Sequence, residues 1–170
     1  MSGRAPLQRA MRGAQTVLGL ALLGVVAVNV ANAAARYLAG VSLTGTDEAM
    51  IYTMVWIVMA GAALSVASRS HIAIDLVPGA ASRRGRLVLN LLHNAVILAA
   101  CGYAALASWQ YTGRIAALGT TSMGLGIPMI WAHAALLAGF GAMAAIAAGL
   151  MLRDLGALLR PARAGQGRAA

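Results

Sequence analysis

Residues 47–69 read DEAMIYTMVWIVMAGAALSVASR. Two acids open the run and an arginine closes it, while Ala49 to Ser68 carries no charge. A helix rises 1.5 Å per residue, so about 20 apolar residues cross the ~30 Å hydrocarbon layer of a bilayer. This run meets that length.

Working outward, three further stretches meet the same requirement. One lies between Arg12 and Arg36, one begins after Arg86 and runs to about Trp109, and one starts near Pro128 and ends before Arg153. The sequence therefore predicts an all-α integral membrane protein, a single membrane domain with four transmembrane helices at about 13–36, 48–69, 87–109 and 128–151. Pro128 suits a first helical turn, where a missing N–H costs nothing, and Trp131 suits an interfacial belt. The stretch from Gly113 to Gly126, broken by Gly, Thr and Ser, is expected not to span the membrane and to form a loop, with a short interfacial helix within it as the alternative.

Composition agrees. The chain has 170 residues, 61% hydrophobic and 10% charged, with a mean hydropathy of +0.78. Its formal charge of +9 would point to nucleic acid in a soluble protein. Here the arginines sit between apolar runs, where they act as topology signals, so no nucleic-acid partner is expected. Arg4, Arg9 and Arg12 precede the first span; Arg69, Arg83, Arg84 and Arg86 separate the second from the third; Arg153, Arg160, Arg163 and Arg168 follow the fourth. Arg36 and Arg114 alone fall on the other side. Both termini are thus expected in the cytoplasm of a bacterial cell, with the protein multi-pass in the inner membrane and residues 160–170 a disordered basic tail. Ala31-Asn32-Ala33 resembles a signal-peptidase site. The apolar run, however, continues through Ala35 to Arg36-Tyr37, the flank of a retained helix.

Polar groups within hydrocarbon are costly unless paired, so their positions are informative. Asn29, Asn32 and Arg36 share one face of the first helix, as Asn90, His93 and Asn94 do on the third. Both patches are read as hydrogen-bond glue between helices. Gly61 and Ser65 form a small-xxx-small pair, and Trp56 lies deeper in the second helix than a belt tryptophan. Asp47, Glu48, Asp75 and Asp154 all fall at membrane edges. Asp47 and Glu48 favour the dipole of the helix that they open, with Arg36 a candidate ion-pair partner across the short loop. The lack of a mid-membrane carboxylate argues against a stand-alone four-helix exporter. Cys101 is the single cysteine, and His71, His93 and His133 lie at mismatched depths. Neither a thiolate metal site nor haem is expected, nor is a membrane-anchored redox or assembly factor favoured. No Ser/His/Asp grouping or Gly-x-Ser-x-Gly elbow is present, so no catalytic residue, cofactor or enzyme activity is expected.

Some motifs occur in a specific order. Arg36-Tyr37 follows the first helix, Asp47-Glu48 opens the second, and Trp56 and Gly61-Ala62-Ala63 lie inside it. Ser70-His71-Ile72-Ala73-Ile74-Asp75-Leu76 comes next, then Leu125-Gly126-Ile127-Pro128 and Gly139-Phe140. From Arg36 to Phe140 this order resembles the DctQ-type small permease subunits of tripartite ATP-independent periplasmic (TRAP) transporters. Ser70 stands where those subunits usually have glycine, Gly45 where tryptophan is common and His133 where tyrosine is frequent. The resemblance implies a scaffold subunit in a sodium-coupled importer of organic acids such as C4-dicarboxylates or sugar acids. Its partners would be a large permease subunit and a periplasmic solute-binding protein. Arg36, Asp47, Glu48, Trp56, Gly61, His71, Asp75 and Pro128 are its candidate structural or partner-contact residues, and His71 and Asp75 share a face only if the second helix continues past the membrane edge.

Overall fold

A computed structural model describes residues 4–41, 45–68 and 83–159. Four helices follow in order: α1 Arg4–Ala39, α2 Thr46–Ser68, α3 Arg83–Leu118 and α4 Ile130–Leu159. Each is long and apolar enough to cross a membrane. At 1.5 Å per residue, α2 is about 34 Å long, whereas α1 and α3 reach about 54 Å and must tilt or project beyond the hydrocarbon. The basic tail at 160–170 lies outside the described residues.

The third helix corrects the expectation of a loop from Gly113. It continues to Leu118 because Ile115-Ala116-Ala117-Leu118 are helix-compatible residues, and one Gly and one Thr do not outweigh them. It stops at Gly119, whose φ of 60° is a left-handed conformation favoured by glycine, with its N–H on the Ala116 carbonyl at 3.3 Å. The α4 boundary also differs, since Pro128 lies two residues before the helix. Its carbonyl accepts the Trp131 N–H at 3.3 Å, so it forms the turn into the helix.

Helix packing follows a simple order: α1 lies against α2, α2 against α4, and α4 against α3. Among the described residues no other pair of helices approaches closely. The helices therefore form an open row, α1–α2–α4–α3, instead of closing around a shared centre. Among the described residues the buried apolar ones are correspondingly few: Val66 on α2 and Ala135, Met143 and Ala147 on α4. With Gly139, the α4 residues recur every four positions. Such a row winds slowly around a helix, which suits an element packed on both sides, and small side chains let its neighbours come close. At Gly139 the approach is tight, for an added Cβ would lie 2.6 Å from both Cβ and Sδ of Met59 on α2.

This contact generates a stability prediction. Gly139→Ala should destabilise the protein by about 1–3 kcal/mol through overpacking, read as a lower unfolding temperature in detergent. Adding Met59→Ala should restore only part of that loss, because Met59 Cβ remains in the way. An unchanged unfolding temperature for Gly139→Ala would contradict the packing described.

Candidate functional site

The described polar contacts between elements concentrate at the end of the row where α1 and α3 finish and α2 and α4 begin. Gly45, with φ 88°, turns the chain into α2, and its carbonyl accepts the Ala49 N–H at 3.1 Å to start the helix. Asp47 in the first turn faces back toward α1. Its Oδ1 accepts Asn32 Nδ2 at 3.1 Å, and its Oδ2 pairs with an Arg36 guanidinium nitrogen at 3.3 Å. The Arg36 and Asp47 side chains are 47% and 60% exposed, so their ion pair is worth at most about 1 kcal/mol. Asn32 is 3% exposed. The same carboxylate thus collects one buried amide and one exposed guanidinium.

Glu48 points to a different element. Its carboxylate accepts the Gly124 N–H through both oxygens at 3.0 Å and the Leu125 N–H through Oε2 at 3.0 Å. The receiving loop is compact: Ser122 N–H bonds the Ile127 carbonyl at 2.9 Å, Gly126 N–H bonds the Ser122 carbonyl at 3.1 Å, and Met129 N–H bonds the Thr120 carbonyl at 3.0 Å. A β-bridge between Thr121 and Pro128 closes its base. Two successive amides aimed at one carboxylate form a small anion cradle. The two loops meet so closely that a Cβ on Gly45 would lie 2.7 Å from Leu125 Cδ2, and one on Gly124 would lie 3.0 Å from Gly45 Cα.

Of the other described candidates, Trp56 and Gly61 lie away from this brace and Pro128 lies at its edge. Trp56 is 42% exposed on the side of α2. Gly61 is partly covered, yet an added Cβ there would meet nothing within 4 Å. Pro128 sits at the base of the braced loop. His71 and Asp75 lie outside the described residues. Of the polar patch on α3, Asn94 is buried while Asn90 and His93 are exposed. His133 packs edge-on against Tyr111, with ring centroids 4.8 Å apart and planes at 73°. That pair lines an open cavity of about 370 Å³ between α3 and α4 with Ala107, Ser108, Thr112 and Leu136. Its lining carries no charged side chain.

Gly124 and Leu125 as partners of Glu48 were missed by the sequence reading. The only local signal was an acid in the first turn of α2 beside a glycine-rich segment 76 residues away. The brace predicts that Glu48→Ala will expose the loop selectively. Hydrogen exchange at the Gly124 and Leu125 amides should accelerate by about tenfold, with α3 and α4 amides little changed. Unaltered exchange at those two amides would sink the assignment.

Comparison with known families places these observations in context. The family model described as "Tripartite ATP-independent periplasmic transporters, DctQ component" matches residues 8–157. That range includes all four helices apart from a few terminal residues, as well as both loops of the brace. A search of curated proteins found no match. The chain belongs to the DctQ family, the small permease component of tripartite ATP-independent periplasmic transporters, and is a multi-pass protein of the inner membrane.

Proposed function

We propose that this chain is the non-catalytic scaffold subunit of a sodium-coupled TRAP importer for organic acids, bound to a large permease subunit and served by a periplasmic binding protein. One observation carries the reading: the helices form an open row in which each has close neighbours on at most two sides. A coupled carrier surrounds its solute and ion with helices near the bilayer midplane. A row provides no such enclosure, whereas it extends the width of a neighbouring membrane subunit. The placement of the acids supports the same reading. Asp47 ties α2 to α1, Glu48 ties α2 to the α3–α4 loop, and Asp154 is buried near the far end of α4, with Arg153 Nε at 3.9 Å. Trp56, Gly61, His71, Asp75 and Pro128 are then residues of assembly, and no step of catalysis or cofactor chemistry is assigned to the chain.

In this reading the arginine-rich side faces the cytoplasm, and the brace between Glu48 and the α3–α4 loop faces the periplasm. A periplasm-specific reporter fused near Thr44 or Thr120 should be active, and one fused near Gly79 or Gly165 silent; the reverse pattern would overturn the orientation.

Transport kinetics separate scaffold from carrier. Alanine at Arg36, Glu48, His71 or Asp75, one at a time, should lower the yield of assembled complex or its maximal uptake rate. The sodium dependence of reconstituted uptake should stay unchanged when rates are normalised to intact complex. A variant that assembles normally but alters the apparent number of coupled sodium ions would place that residue in the transport site and end the scaffold reading.

A further inference from the structure

Asn29 lies seven residues before Arg36, about 10 Å along the α1 axis toward the membrane interior. It is exposed, and among the described residues it makes no hydrogen bond, whereas Asn32 one turn later is buried against Asp47. An uncovered carboxamide facing acyl chains leaves two donors and an acceptor without partners, which costs free energy. Lipid is therefore a poor neighbour for this position.

The Arg36–Asp47 bridge shows which side of the row Asn29 occupies. Leu22, Val26 and Asn29 lie 14, 10 and 7 residues before Arg36, on the same flank of α1. Ile51, Met54 and Val58 lie 4, 7 and 11 residues after Asp47, on the same flank of α2. Because Arg36 and Asp47 join, the two flanks border one α1–α2 groove, and all six side chains are exposed. Farther along that α2 flank comes Gly61, where a Cβ would meet only open space. The close-approach surface of the small-residue pair Gly61 and Ser65 is thus unfilled at its glycine within this chain.

We propose that this groove, lined by Leu22, Val26, Asn29, Ile51, Met54 and Val58, seats a transmembrane helix of the large permease subunit. That helix presents a hydrogen-bonding side chain or backbone carbonyl at the level of Asn29 and an aliphatic surface on either side. The inference rests on the partner-subunit reading above and adds the face that the partner covers. Membership in a multi-component transporter family supplies a membrane neighbour, and the unpaired amide distinguishes that neighbour from lipid.

The test uses the chain co-expressed with the large subunit of the same transporter. A photo-crosslinking amino acid is placed at Met54 or Val58 in the groove, at Ala60 on the opposite flank of α2, or at Leu106 on α3, and adducts are identified by mass spectrometry. Recovery of the large subunit is measured for each variant. Adducts with the large subunit at Met54 and Val58, several-fold stronger than at Ala60 and Leu106, are expected. Loss of the large subunit from the groove variants alone would support the same face. Asn29→Leu should lower its recovery several-fold, and Asn29→Gln should restore most of it. An intact complex that crosslinks only through Ala60 or Leu106, or nowhere, overturns the groove while leaving the partner reading in place. Adducts between two copies of this chain at Met54 or Val58 overturn it as well. Failure of the unsubstituted chain to bind the large subunit overturns both.

Discussion

Hydrocarbon provides no hydrophobic force to pull helices together, so close contact must come from shape. In this chain that constraint falls on α4. Its Ala135, Gly139, Met143 and Ala147 form a ridge of buried residues, and among the described residues α4 is the one helix placed between α2 and α3. The Gly139–Met59 approach sets how near α2 can lie. Once α2 is placed, the start of α4 lies close enough to the start of α2 for Glu48 to reach the Gly124 and Leu125 amides. Helix packing and loop bracing are therefore coupled, and α1 depends on both because its described contacts are to α2 alone.

Length and charge made the four spans legible, since both act locally. The Arg36–Asp47 pairing was also within reach of sequence reasoning, because a short loop leaves a cation and an anion few places to go. The Glu48 contact was not, because a partner 76 residues away depends on the packing of α2 against α4. The extension of α3 to Leu118 shows a different limit. Gly113 and Thr112 weaken a helix by small increments, and the stop comes only at Gly119, where the backbone takes a left-handed turn. Helical spacing grouped Asn90, His93 and Asn94, but only packing distinguishes the buried member from the exposed ones.

Gly45 connects the family resemblance with local geometry. Tryptophan is common at this position in similar subunits, yet here the backbone is left-handed and Leu125 occupies the space of a side chain. A tryptophan could not enter without moving the loop that Glu48 holds. The glycine, the leucine and the acid are consequently one solution to closing this end of the row, and a substitution at any of them changes the space available to the others.

The two asparagines of α1 show how polarity is distributed between the chain and its surroundings. Asn32 and Asn29 have the same side chain one helical turn apart, but Asn32 lies against Asp47 and is buried while Asn29 remains open. A chain designed to stand alone in lipid would gain by replacing the second amide with an aliphatic residue. The groove proposed above would give that amide its partner. The same logic applies to the open row itself: apolar faces can meet lipid without penalty, so the exposed apolar surface alone identifies no partner, whereas an unpaired amide in hydrocarbon carries a cost that protein relieves better than lipid does. Scarce polar groups therefore carry more information about assembly than the much larger apolar area around them.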